Sequence, residues 1–208
     1  LPINIPSVFN PAQIDELKRL SEASIPRDMP PEQMNSSDMQ KTLTTVPEGE
    51  AVVRRMIELF CEAGCLGMAQ KLLKGEAAFL LPQCAYRYHQ PQTYNSHLPF
   101  HLDAAFLGAD AMSLTFWVPL VDVGETAPSL TFLRPEIDSR RFVEAWVERA
   151  RTGKMPYFDG KEIAEVYGEP AESLFVSPVL PAGSVSIFHH MTPHATQAMP
   201  EGGSYRIS

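Results

Sequence analysis

The chain has 208 residues, 44% of them hydrophobic and 20% charged, which suits one globular domain large enough to bury a real core. A net charge of −8, with no Lys/Arg cluster longer than a pair, repels a phosphate backbone and argues against nucleic acid as the main partner. No apolar run approaches the ~20 residues that span a bilayer, so no membrane partner is expected.

In chain order, Asn10 reads as an N-cap with Pro11 at the first helical position, and Ile14, Leu17 and Leu20 follow as an apolar stripe. Residues 24–47, rich in Pro, Ser, Met and Thr, read as a long loop of the kind that forms lids. A second helical stretch runs from Glu50 to about Lys74, with Val53, Ile57 and Phe60 on one face and breaks expected at Gly64 and Gly67. From Glu76 onward "AAFLLPQCAYRY", "AMSLTFWVPLVDV", "SLTFLRP", "SLFVSPVL" and "GSVSIFHH" read as strands parted by Gly, Pro, Asn and Asp, the pattern of a barrel or sandwich. A helical insertion at about 136–168 interrupts them, with Phe142, Ala145, Trp146 and Arg149 at helical spacing up to Gly153 and "KEIAEVYG" as a shorter helix. The expectation is a single domain over 1–208: a helical and loop part over 1–75 packed on a mainly β core over 76–208. No secretory leader is expected in the residues at hand, which open at Leu1 without a charged segment leading into an apolar one. Cys61, Cys65 and Cys84 form an odd set that reads as reduced thiols of a cytoplasmic protein. Cys61 and Cys65 stand i, i+4, but no second Cys or His pair completes a zinc site, so they read as apolar thiols.

"HLPFHLDAAFLG", residues 97–108, sets His101 and Asp103 two positions apart between apolar blocks. That spacing puts both side chains on one face of a strand and on opposite faces of a helix, so they share an ion only if the segment is extended. Pro99 disfavours helix just before them. Further imidazoles stand in "GSVSIFHHMTPHATQ", as His189, His190 and His194. A reversal at Pro200 to Gly203 then places Arg206 opposite residues 194 to 197 on a neighbouring strand. Two neutral imidazoles and one carboxylate are the facial triad of non-haem Fe(II) oxygenases, which leaves three sites open. A fixed guanidinium beside it suits a carboxylate, so the set fits a 2-oxo dicarboxylic acid.

"FHLD", "WVPLVDV", "APSLTFLRP", "PAGSVSIFHHMTPHAT" and "YRIS" together resemble the phytanoyl-CoA dioxygenase family over about residues 85–208. The resemblance implies an α+β protein, mainly β with flanking helices, built on a double-stranded β-helix (a cupin-like jelly roll). It implies Fe(II) as metal, 2-oxoglutarate as co-substrate, O2 as oxidant, and succinate and CO2 as products. Carried over, His101, Asp103 and His194 are the metal ligands, with His194 preferred over His189 and His190 because Ala-Thr follows it. Arg206 is the anchor for the far carboxylate of 2-oxoglutarate. Thr196 and Ser208 add hydroxyls there, and Trp117 stands near the co-substrate or in the core. The chain departs from the family at Leu102, where Gln is frequent, and at "RPEIDS", where "PGSH" is usual, so substrate contacts from that loop do not transfer. Residues beyond Ser208 are expected.

An aspartate at position 103, in place of the small residue of halogenating relatives, points to a hydroxylase or a related oxidation. Arg87, Tyr88, Asn95, His97 and Arg134 are candidate substrate contacts, each weighed against an ordinary surface role. The missing basic cluster points away from a CoA phosphate, toward a smaller or less charged organic molecule. The rival readings are a cupin-like isomerase or zinc hydrolase, and a non-catalytic jelly-roll binding module.

Overall fold

The computed structural model describes residues 2–22, 40–42, 50–89, 97–108 and 112–208. Its described elements run β1 (Ile3–Ile5), α1 (Pro11–Glu22), β2 (Gln40–Thr42), α2 (Glu50–Glu62), α3 (Cys65–Leu73), β3 (Ala85–His89), α4 (Ala104–Leu107), β4 (Leu114–Trp117), β5 (Leu130–Leu133), α5 (Arg140–Arg151), α6 (Gly160–Tyr167), α7 (Ala171–Leu174), β6 (Phe175–Val176), β7 (Val185–His189), β8 (His194–Thr196) and β9 (Arg206–Ile207). The strands form three antiparallel sheets, ordered β1-β7-β4, β2-β3-β9 and β6-β5-β8. This is a mixed helix-and-sheet fold. Among the described residues no helix is long and apolar enough to cross a membrane.

Alternation along the strands decides where the core sits. In β4 and β7, Leu114, Phe116, Val185 and Ile187 face a core shared with Ile14 and Leu17 of α1 and Leu59 of α2. Thr115 and Trp117, paired with Phe188 and Ser186, point the other way. In the β6-β5-β8 sheet Leu133 and Ala195 face a core with Phe142 and Trp146 of α5 and Ile163 of α6. Leu130 and Phe132, paired with Thr196 and His194, point inward. The inner faces meet where Phe132 and Phe188 touch edge to face at 5.4 Å. Each fully buried Leu or Phe contributes about 1.5–3 kcal/mol, so the helices on the outer faces hold both sheets in place.

Several sequence-based boundaries shift. The first third is not only helix and loop, because β1 completes a sheet by pairing with β7. The helical stretch from Glu50 breaks at Gly64, which takes φ +81°, whereas Gly67 lies inside α3. "AAFLLPQCAYRY" is strand only over Ala85–His89, because Pro82 opens a 3-10 turn over Leu81–Gln83. "SLFVSPVL" begins in α7 and keeps a strand only at Phe175–Val176. The insertion is as read, with α5 followed by α6, whose capping box joins Asp159 and Glu162. Apart from residues 40–42, the 24–47 loop lies outside the described residues.

Candidate active site

Residues 98–101 run as an extended segment beside β8. Thr196 N donates to Leu98 O at 2.9 Å, and His101 and His194 exchange backbone bonds of 3.0 and 3.2 Å. Phe100 and Phe158 exchange a further pair, so the segment lies between β8 and the chain at 158. His101 is extended as expected, but Asp103 has already turned helical, with φ −61° and ψ −19°, as the cap of α4. This turn brings the carboxylate back toward the two rings.

His101 Nε2 and His194 Nε2 each lie 3.7 Å from Asp103 Oδ1. Ligand bonds of about 2.0–2.2 Å let two donors of one ion stand at most ~4.3 Å apart, so both edges are short enough. The ring atoms facing Asp103 are free to ligate. His101 Nδ1 donates to Pro99 O at 2.8 Å and His194 Nδ1 to Thr192 O at 2.9 Å, which leaves each Nε2 with its lone pair. Burial, then the neighbouring His194, pushes the His101 pKa down to about 3; burial likewise lowers that of His194. Both rings are therefore held neutral, the form in which an imidazole can bind a metal. Thr115 Oγ1 donates to Asp103 Oδ2 at 2.5 Å and leaves Oδ1 toward the rings. Phe188 packs 4.7 Å from the His194 ring, and Phe132 6.2 Å; Tyr157 and Phe106 stand 5.9 and 6.3 Å from the His101 ring.

Arg206 is 1% exposed. It does not lie opposite β8 as the turn at Pro200 to Gly203 suggested, because β9 pairs with β3 and sets Arg206 against His89. The chain does reverse, with Gly203 N donating to Pro200 O, but the hairpin never closes. Ser204 N is bound instead by Thr126 O, and Ile207 O accepts from Leu120 N. The guanidinium still reaches the chain leading into β5, donating to Pro128 O at 3.1 Å and Ser129 O at 3.2 Å, and it lies 2.9 Å from His89 Nδ1. Its carbon sits 5.5 Å from the Trp117 ring. Burial, then the charge of Arg87, brings its pKa down to about 9, which keeps it charged at neutral pH.

A fully buried guanidinium without a carboxylate is costly unless an anion joins it. No described carboxylate pairs with Arg206, and its Nε is a buried donor lacking a partner. The Ser208 and Ser129 hydroxyls are buried without partners too. Ser208 follows Arg206 by two, just past β9 and still bonded to Arg87 of β3, and Thr196 follows His194 by two on β8, so each shares its neighbour's face. The donor set therefore fits a divalent metal, and the orphaned donors fit an acceptor-rich anion such as 2-oxoglutarate.

The remaining candidates separate. Arg87 faces the same side of β3 as His89, whereas Tyr88 packs with Tyr205 and the outer core, which corrects its reading as a substrate contact. His97 is exposed, with a pKa lowered by partial burial and then by Arg206. Arg134, half-buried just past β5, makes no side-chain bond or ion pair among the described residues. Asn95 lies outside the described residues. His189 and His190 pack against each other at 4.1 Å, outside the His-Asp-His cluster. Sequence reading missed Thr115, His89 and Tyr157, whose roles arise only when distant strands meet. The alternation of Thr115 with Trp117 is the one local signal.

The sequence model for "Phytanoyl-CoA dioxygenase (PhyH)" matches residues 3–200. The chain belongs to the phytanoyl-CoA dioxygenase family. As a member it is an oxidoreductase of the iron- and 2-oxoglutarate-dependent class, acting on small molecules. Solved structures agree in fold. The epimerase SnoN from nogalamycin biosynthesis, in complex with Fe3+, alpha ketoglutarate and nogalamycin RO, is 17% identical with a TM-score of 0.60, over 99% of this chain and 75% of that one. EctD from S. alaskensis, with 2-oxoglutarate and 5-hydroxyectoine, is 14% identical with a TM-score of 0.63, over 99% and 69%. EvdO2 from Micromonospora carbonacea var. aurantiaca, complexed with 2-oxoglutarate, is 15% identical with a TM-score of 0.60, over 99% and 82%. No curated protein sequence matches the chain.

Proposed function

We propose that this PhyH-family member is a single jelly-roll domain that hydroxylates an unactivated C–H bond of a small organic molecule, using Fe(II), 2-oxoglutarate and O2 and releasing succinate and CO2. The observation that carries this is the pairing of a His-Asp-His cluster, its two histidines buried, with a buried arginine whose Nε has no partner. His101, Asp103 and His194 would hold the iron. Arg206, flanked by Thr196 and Ser208 and backed by Trp117, would hold the far carboxylate of 2-oxoglutarate. The unpaired thiols Cys61, Cys65 and Cys84 suit the reducing cytoplasm.

When bound, iron with 2-oxoglutarate supplies the oxidising power needed to take hydrogen from carbon. The chain supplies placement. The Pro99 and Thr192 carbonyls fix the two rings, and Thr115 fixes the carboxylate. Phe132 and Phe188 exclude water from behind His194, and Tyr157 and Phe106 stand on the His101 side. Arg149 steadies Tyr157 by donating to its carbonyl while pairing with Glu162 at 2.7 Å. A zinc hydrolase or cupin-like isomerase would use the cluster but leave Arg206 without a task, and a binding module would use neither. Succinate release from 2-oxoglutarate by iron-loaded protein, against Asp103→Ala and Arg206→Ala, tests the proposal. Release dependent on both residues supports it; release indifferent to either removes it.

A further inference from the structure

Arg87 is a half-buried cation for which no described residue provides a side-chain hydrogen bond or an ion pair. Its backbone is locked to Ser208, with Arg87 N donating to Ser208 O at 2.8 Å and Ser208 N to Arg87 O at 3.0 Å. Alternation puts its side chain on the His89 face of β3, and His89 touches the Arg206 guanidinium. The groups that sense its charge are all at the site: Asp103 and Tyr157, which favour that charge, and His101, His194 and Arg206, which oppose it. Burial lowers its own pKa first of all.

Charge balance tells what Arg87 is for. With the site filled as proposed above, the ferrous ion and Arg206 are matched by Asp103 and the two carboxylates of 2-oxoglutarate. Among the described residues no further carboxylate is left to neutralise Arg87. The C1 carboxylate of 2-oxoglutarate already has the metal, and the far one has Arg206. An unpaired cation at a partly buried position favours one more anion, and a guanidinium fork favours a carboxylate.

We infer that Arg87 binds a carboxylate of the prime substrate, so that this enzyme oxidises an organic acid and rejects its neutral analogue. Tyr157 stands beside the His101 ring and within the field of Arg87. The acid is thereby held at one end by Arg87, with its carbon chain directed across the cluster. This rests on the function proposed above.

The test uses the full chain loaded with Zn(II), a redox-inert stand-in, and saturating 2-oxoglutarate. A ligand that binds only the folded state raises the melting temperature, and at a fixed concentration the tighter ligand raises it more. Acetate, hexanoate and benzoate are each compared with their primary amides at constant ionic strength. At least one acid is expected to stabilise the loaded protein with an affinity about tenfold above its amide. That preference is lost in Arg87→Gln and kept in part in Arg87→Lys, which retains charge without the fork. Equal response to acid and amide, no response to any acid, or an acid preference that survives in Arg87→Gln overturns the inference. So does an Arg87→Gln variant that loses 2-oxoglutarate binding as severely as Arg206→Gln, because Arg87 then belongs to the co-substrate. The parent reading is judged separately, by whether 2-oxoglutarate itself stabilises the Zn(II)-loaded protein and loses that effect in Arg206→Gln.

Discussion

The hydroxyl of Thr115 donates to Oδ2 of Asp103 across 2.5 Å, joining strand β4 to the one carboxylate of the candidate metal centre. Because Oδ2 is engaged, Oδ1 is the oxygen left facing His101 and His194. Groups that orient a ligand in this way typically change metal affinity by 10–100-fold when removed. Thr115→Val is therefore expected to weaken metal binding about tenfold, and Thr115→Ser to restore most of it, as measured by competitive titration with Zn(II). Equal affinity in all three proteins would mean that the contact is incidental.

Arg206 sets up a second expectation. A charge-assisted fork to a carboxylate is worth about 2–3 kcal/mol, so Arg206→Gln should raise the dissociation constant of 2-oxoglutarate on the order of a hundredfold. Arg206→Lys should recover little, since one ammonium cannot replace the donors to Pro128 O and Ser129 O as well as hold the ligand. Calorimetric titration of the metal-loaded variants reads both.

The thiols give a pH-dependent check on packing. Burial, with Cys61 adding to it, pushes the Cys65 pKa from 9.0 up to about 11. A raised thiol pKa favours the protonated folded form, so this contribution to stability is full below pH 9 and falls away as pH rises through 11. At pH 8 only about one Cys65 in a thousand is thiolate. Exposed Cys61 should be alkylated by iodoacetamide well before buried Cys65, with peptide mass spectrometry distinguishing the two. Modification at equal rates would contradict the packing of α3 against α1 and α2.

Gly183 precedes β7 with φ +77°, and a Cβ there would meet Ile14 Cδ1 at 2.6 Å and Phe9 O at 2.7 Å. Gly183→Ala combines backbone strain with overpacking and should cost on the order of 3 kcal/mol in urea unfolding. Gly153, at φ +74° with open space around it, should cost less on the same substitution.

Much of the site was legible because its chemistry sits in short motifs. His101 and Asp103 share a tetrapeptide, and His194 and Arg206 each open a short strand after a turn rich in Pro or Gly. The partners were not legible. Thr115, His89 and Tyr157 are ordinary residues whose roles depend on which strands become neighbours, and pairing is a non-local choice. The placement of Arg206 shows the same limit: a turn at Pro200 to Gly203 is visible in the sequence, but the capture of Ser204 by Thr126 and of Ile207 by Leu120, which sends β9 to β3, is not. In the fold, the buried faces of α1 and α5 were read from their period, whereas α2 buries Met56 and Leu59 rather than Val53 and Ile57. The three-residue strand β1 was missed because so short a run carries no period of its own.

The most direct test of the account is diffraction from crystals grown with a divalent metal and 2-oxoglutarate, using anomalous scattering to place the ion. One metal bound at about 2.0–2.2 Å by His101 Nε2, Asp103 Oδ1 and His194 Nε2, with the far carboxylate of 2-oxoglutarate on the Arg206 guanidinium, is the expected result. An ion held elsewhere, or 2-oxoglutarate bound without Arg206, would contradict it.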